Sequence, residues 1–458
     1  MKLGPSPPTL DAGARPRHLA RMAKSMKPTA LSALGQRTAE PPISWLMKMT
    51  LDHPDLISLA VGFTDSALLP VAETRALLDE ILRSPRSARA SLQYGTTAGD
   101  PELRRLTADH LRTADGVTPA TAAAACYAPE RLLITNGSQQ LLYLVTEALC
   151  NPGDIVLVED PTYFVYLGIA QSHGLRCRGI PLREDGIDVD QLAATLEALR
   201  RTGELARVKL LYLVTYYQNP TGITTVLEKK ARALELLRRY ERLAGHPIYL
   251  LEDAAYRELR FAGAPVRSAL VAGPPGRVIY AGTYSKPFAT GARIGFGLLP
   301  AELFQAAVRI KGNHDFGSAN LLQQLLARAL ASHRYQTHLV EVARCYARKA
   351  ATMTAALRQH FPDTVQWQKP RGGLYVWARL PRAQPAGTQS RFFARALAQG
   401  VLYVPGELCY ADDPTRPRPR HELRLSFGGA SLADIRTGIA RLGAVAAQTD
   451  VRRGRARA

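Results

Sequence analysis

The chain has 458 residues, 46% of them hydrophobic, which is enough for a large core and, by length, for one large domain plus a smaller one. Its 59 Lys and Arg against 39 Asp and Glu give a formal net charge of +20. Such a balance can mark nucleic-acid binding. Here the basic residues are spread along the chain, and only the ends are locally basic, with Arg15, Arg17, Arg21, Lys24 and Lys27 at the start and Arg452, Arg453, Arg455 and Arg457 at the finish. Both ends read as solvated arms, so nucleic acid is not expected as a partner. No apolar run reaches eighteen residues, so no transmembrane helix or membrane partner is expected. The five cysteines show no disulfide or metal spacing and the ten histidines form no His-x-x-x-His pair, which points to a cytoplasmic chain without a metal.

Residues 1–40, rich in Pro, Arg and Ser, read as a flexible basic extension. Residues 41–70 read as an arm that joins a small domain, with a short helix over 42–50 and an apolar run, Ile57-Ser58-Leu59-Ala60-Val61-Gly62, before a turn at Pro70. A large domain is expected over 71–320. Strand candidates there are 131–135, 155–159, 210–214, 248–252 and 278–281, each short, nearly all apolar and followed by a polar or Gly-containing turn. That is the signature of a parallel sheet buried on both faces, with helices such as 227–243 as crossovers. Ligands of such sheets bind beyond the carboxyl ends of the strands. A second, α+β domain is expected over 321–447, with a long helical period from about 325 to 360 and strands at 373–377 and 422–427; a basic tail, 448–458, follows.

The turns at the strand ends carry the chemistry. Asn136-Gly137-Ser138-Gln139-Gln140 opens a helix, where free backbone N–H groups and the helix dipole suit an anion, although many turns of this kind bind nothing. Asp160-Pro161-Thr162-Tyr163 offers an aromatic ring for stacking, or simply a packed loop tyrosine. Asn219-Pro220-Thr221-Gly222 is a turn whose asparagine can donate to a ring oxygen or a carboxylate. Asp253, at the end of an apolar strand, needs a cation or else serves as a helix cap, and Tyr256 follows three residues on. The segment from Gly282 to Gly297 places Lys286 between hydroxyl residues, with Arg293 seven positions later. Hydroxyls, glycine backbone and a guanidinium fork suit a phosphate dianion, and a lysine amine suits a carbonyl cofactor. Together they suggest pyridoxal 5′-phosphate (PLP) bound through Lys286; the plain alternative is a surface lysine in a turn.

The order and spacing of these motifs resemble the class I/II aminotransferases, the fold-type I PLP enzymes, from about Trp45 to Leu442. Residues 57–62, Gly137-Ser138-Gln139-Gln140 and Leu423-Arg424-Leu425-Ser426-Phe427 are most similar to the kynurenine/2-aminoadipate branch. The resemblance implies an α/β large domain on a mostly parallel seven-stranded sheet and a smaller α+β domain. It also implies a homodimer with active sites at the subunit interface, and an amino acid and a 2-oxo acid as partners. It assigns the cofactor lysine to Lys286, the pyridine partner to Asp253 and the stacking ring to Tyr163. Asn219 and Tyr256 match the donors to the ring oxygen, and Ser138, Gln139, Thr283, Ser285 and Arg293 match the phosphate cradle. Tyr94 matches a tyrosine that reaches the partner subunit's phosphate. Arg424 matches the grip on the substrate α-carboxylate, with Asn219, Gly62 and Tyr375 also at the substrate. The chain departs from the family pattern at Val61, Thr64, Thr215 and Thr283, and Asn313-His314-Asp315-Phe316 puts charge in a segment that often borders the pocket. The implied activity is transamination of an α-amino acid with an aromatic, 2-aminoadipate-like or other large side chain. A decarboxylation, elimination or replacement, condensation or oxidation on the same cofactor is the alternative. A transcription regulator with an aminotransferase-like domain would need a winged helix-turn-helix, for which the Pro-rich extension is too short.

Overall fold

In the computed structural model the described residues are 29–273 and 275–454, with side chains described as far as 448. The basic stretch through Lys27 and the side chains of the arginine-rich tail lie outside them. Among the described residues no helix is long and apolar enough to cross a membrane.

The apolar strand candidates assemble into one large sheet. Its order is Leu132–Asn136, Ile294–Leu298, Val278–Thr283, Tyr249–Asp253, Val208–Val214, Ile155–Asp160 and Arg176–Arg183, with a two-residue strand, Gly186–Ile187, extending the last edge. The five central-to-edge strands from Val278–Thr283 to Arg176–Arg183 run parallel, and Ile294–Leu298 is antiparallel to both of its neighbours. Strands such as Tyr249–Asp253 and Ile155–Asp160 are buried along their whole length, because helices cover both faces. Three strands of this sheet were not expected from the sequence: Arg176–Arg183, the short Gly186–Ile187 and Ile294–Leu298. Arg176–Arg183 carries three arginines, and two of them find acids at the sheet margin: Arg176 meets Glu204, and Arg178 lies 3.7 Å from Asp413. Ile294–Leu298 was hidden inside the glycine-rich segment.

That antiparallel strand positions one end of the candidate site. Its register pairs Asn136 with Ile294 and Thr283 with Gly295. The first turn of helix Gly137–Leu149, the hydroxyl of Thr283 and the arginine just before Ile294 therefore meet in one place. Gly295 allows the approach: a Cβ there would stand 2.4 Å from the Gly137 carbonyl carbon and the Ser138 nitrogen.

The smaller sheet is antiparallel, in the order Gln366–Trp367, Tyr375–Arg379, Glu422–Ser426, Val404–Pro405. A separate two-strand ladder pairs Ile57–Ser58, from the start of the chain, in parallel with Val401–Leu402. The expected single helical period near 325–360 is two helices, Asn320–Ala331 and Arg334–His360, broken at His333, whose φ of 60° lies in the left-handed region.

Candidate active site

Asp253 ends its strand almost fully buried. One carboxylate oxygen accepts from the Tyr212 hydroxyl at 2.8 Å, the other from the Ala255 N–H at 3.1 Å. No Lys, Arg or His among the described residues pairs with it. Burial pushes its carboxyl up to about 6, although both hydrogen bonds pull the other way. The preceding residue is the opposite case. Glu252 meets Lys230 at 2.8 Å, both side chains fully buried, and also accepts from the Thr215 hydroxyl and the Ala269 N–H, each at 2.8 Å. Alternation along the strand sends Glu252 into the protein and leaves Asp253 at the strand mouth. Thr215, one of the departures from the family pattern, serves this inner pair.

Lys286 is partly buried, and its Nζ donates to the Gly62 carbonyl at 2.8 Å. Burial, with the Arg424 and Arg293 guanidinium groups nearby, brings its amine down to about 8. Beside it, Thr283 Oγ1 accepts from the Ser285 N–H at 3.1 Å, and Arg293 reaches the Ser285 hydroxyl at 3.5 Å. Arg293 has a left-handed backbone, φ 52°, which turns its guanidinium toward Gly137; a Cβ on Gly137 would stand 2.6 Å from it. Arg293 has no carboxylate partner among the described residues. Ser138 and Gln139 lie in the first turn of helix Gly137–Leu149.

The N-cap of that helix is unusual. Asn136 makes no side-chain cap; its Nδ2 donates instead to Asp315 Oδ2 at 2.7 Å. Gln140 donates to the same oxygen at 2.7 Å, and Lys311 meets both Asp315 oxygens at 2.7 Å. His314 faces Glu147 at 3.2 Å. The charged segment flagged in the sequence is thus largely neutralised behind the helix. Its signal, Lys311 and Asp315 at i,i+4 spacing, was readable as a pair, but its target was not.

Across the mouth stands Arg424, 1% exposed. It donates to Asn219 Oδ1 at 2.7 Å and to the Ala60 carbonyl, and it lies 4.3 Å over the Tyr375 ring and 5.5 Å from that of Phe164. Its Nε is buried without a partner, and no carboxylate among the described residues pairs with it. Asn219 donates to the Tyr256 hydroxyl at 3.4 Å, and that hydroxyl lies 3.0 Å from the Tyr375 hydroxyl. Gly62 closes the group: a Cβ there would stand 2.3 Å from Tyr375 Oη. Tyr163 follows the Ile155–Asp160 strand, partly buried; burial first, then Tyr375 and Asp253, hold its phenol above the ordinary range.

One sequence-predicted residue stands apart. Tyr94 is 81% exposed, its ring edge-on to the exposed Phe316 at 5.4 Å, and it bonds none of the residues above. Sequence reasoning missed Tyr212, the donor to Asp253, which lay inside a strand candidate as one more apolar position.

The cluster combines a buried carboxylate without a cation, an amine with a lowered pKa, and an anion-ready helix end with a guanidinium. Opposite stands a second, unpaired buried guanidinium. These groups fit a cofactor with a protonated ring nitrogen, a carbonyl and a phosphate, beside a substrate carboxylate. The comparisons agree. The chain is 33% identical over 412 residues to aromatic-amino-acid aminotransferase 1 of Thermococcus litoralis, covering 90% of this chain and 92% of that protein. It is 34% identical over 426 residues to the 2-aminoadipate transaminase of Thermus thermophilus, covering 91% and 98%. The kynurenine aminotransferase of Pyrococcus horikoshii, solved with PMP, superposes with a TM-score of 0.82 at 31% identity, covering 92% of this chain and 97% of that one. Residues 54–442 match the model of aminotransferase class I and II, and the chain belongs to that family.

Proposed function

We propose that this PLP-dependent aminotransferase acts on α-amino acids with aromatic or other large side chains, using the residues described above. The carrying observation is Arg424: a buried guanidinium with an unpaired Nε and no acid, flanked by the rings of Tyr375 and Phe164. A substrate carboxylate supplies the missing acid, and the flanking rings suit an aromatic side chain. The names of the Thermococcus and Pyrococcus relatives support the same choice.

Each residue then has a physical task. Asp253 holds the proton on the cofactor's ring nitrogen, because only a cation offsets its burial. Ser138, Gln139, Thr283, Ser285 and Arg293 hold the phosphate. Tyr163 stacks on the ring, and Asn219 and Tyr256 donate to its oxygen. Bound, PLP supplies the carbonyl that accepts the amino group and a ring that draws electrons from the α-carbon. Arg424 fixes the carboxylate and so orients the Cα–H bond. Lys286, its amine near 8, takes the α-proton on Nζ and holds it for return.

Single-turnover spectroscopy on the holoenzyme tests the reading. An aromatic donor should discharge the aldehyde absorbance and release its 2-oxo acid, and a 2-oxo acid should restore it. Release of carbon dioxide or peroxide without loss of the aldehyde form defeats the assignment.

The same reading places the enzyme as a homodimer, with the exposed Tyr94 and Phe316 rings facing the partner's phosphate site. Mixing Tyr94→Ala and Lys286→Ala chains should then restore part of the activity that each lacks. A monomer at assay concentration, or no complementation, removes this role.

A further inference from the structure

Both site cations lean on one short stretch of chain. Leu59 is tied by its N–H to Leu402 of the short ladder at 2.8 Å and by its carbonyl, which accepts from Ser426 of the small sheet at 2.7 Å. Beyond it the chain leaves the ladder. The Ala60 carbonyl then accepts from Arg424, and the Gly62 carbonyl from Lys286. The strand ladder of Ile57–Ser58 has ended by this point, so sheet pairing does not hold residues 60–64.

Their far end is held by a different device. Lys349, on helix Arg334–His360, is 3% exposed, yet its ammonium has a full set of acceptors. Nζ lies 2.7 Å from Asp65 Oδ2, 3.0 Å from the Gly428 carbonyl and 2.7 Å from the Ala430 carbonyl. Three donors meet three acceptors, so the burial cost of the charge is offset at this one point. Asp65 is fixed further: its N–H donates to the Tyr346 hydroxyl at 3.2 Å, and its other oxygen caps Ala67 at 3.0 Å. Burial raises the Asp65 carboxyl, but the Lys349 and Ala67 contacts outweigh it and leave the group below its ordinary value. Gly428 also receives the strap directly, since a Cβ there would stand 2.4 Å from the Phe63 carbonyl.

We propose that Lys349 is a positioning residue for the reaction: by clamping Asp65 to the Gly428–Ala430 loop, it stretches residues 60–64 across the site. The clamp keeps the Ala60 and Gly62 carbonyls on Arg424 and Lys286. It touches neither cofactor nor substrate. The inference rests on the transamination reading for its kinetic part only.

The test compares wild type, Lys349→Met, Lys349→Arg and Asp65→Asn as holoenzymes. Lys349→Met should raise the KM for an aromatic donor about tenfold and lower kcat by a smaller factor, about threefold, because Arg424 loses its backing while Lys286 loses only the Gly62 carbonyl and keeps its amine. Amide exchange at Asp65 and Ala67 should speed up about tenfold or more, with strand Glu422–Ser426 unchanged. Lys349→Arg should restore most of the KM, since a guanidinium also serves several oxygens. Asp65→Asn, at a position 21% exposed, should fold even where Lys349→Met does not, and should shift KM and exchange in the same direction. Unchanged KM and exchange in Asp65→Asn overturns the proposal. So does faster exchange spread evenly over the small sheet, which marks a purely structural lysine. A wild-type enzyme that binds donors without transaminating would defeat the reaction assigned above, while the exchange comparison still decides the strap.

Discussion

The two walls of the site are built in opposite ways. On the large-sheet wall, Asp253, Asn219, Tyr163 and Ser138 each follow the carboxyl end of a buried strand, and sheet register sets their spacing. On the other wall, the Ala60 carbonyl, Tyr375 and Arg424 come from three remote parts of the chain. The first wall is a property of the fold, its polar groups fixed by the strands that carry them. The second depends on a strap and on the neighbouring small sheet, which suits a surface that must admit and release substrates.

The largest expected effect breaks the first wall. Asp253→Asn keeps the Tyr212 and Ala255 contacts but removes the charge, and losing one partner of a buried ion pair costs about 3–5 kcal/mol. Turnover should fall by roughly two orders of magnitude or more with an intact far-UV spectrum; wild-type turnover would show that the ring nitrogen is held otherwise. Next comes the second wall. Arg424→Ala should weaken every amino donor by roughly 2–5 kcal/mol, read as KM, while PLP binding is retained. A fall in cofactor affinity instead would merge the two walls into one unit.

A smaller effect lies between them. The Lys286 amine sits near 8, below the ordinary value of 10.5, so its neutral form dominates above pH 8. Capture of PLP by the apoenzyme should therefore climb from pH 7 and level off near about pH 9, whereas an ordinary lysine would still be climbing there. No plateau would mean that neither burial nor the two guanidinium groups lower this amine. The smallest effect concerns Thr215. Thr215→Val removes one donor from the buried Glu252 and should lower stability by about 1–3 kcal/mol. Both kcat and KM should stay near wild type; a changed donor preference would place Thr215 at the pocket.

The same asymmetry decided what the sequence could reveal. Strands at 155–159 and 278–281 were legible as apolar runs, and Asp253 and Asn219 followed because their turns sit beside them. Arg176–Arg183 was not, since its charges are met by Glu204 and Asp413 at an edge that no local pattern specifies. Arg424 and Tyr375 were identified through resemblance, and their unpaired, ring-flanked geometry emerged only in three dimensions. Thr215 and Asp315 were legible as departures, but their partners, Glu252 for the one and Asn136, Gln140 and Lys311 for the other, were not. A one-residue step along a strand turns a side chain from mouth to interior, and helix Ala301–His314 carries Lys311 behind the anion site. Lys349 gave no signal, because an arginine- and lysine-rich helix does not announce which cation is buried.

The uncapped helix at Asn136 has a consequence for engineering. Redirecting that side chain to Asp315 leaves the first N–H groups of Gly137–Leu149 without an internal acceptor. A serine or aspartate that capped them would gain about 1 kcal/mol of stability on its own. It would do so by filling the place that the proposed function gives to the phosphate, so on that reading thermostability screens run without cofactor should enrich Asn136 substitutions that fold better and bind PLP worse. At this position selection for robustness and selection for catalysis pull against each other.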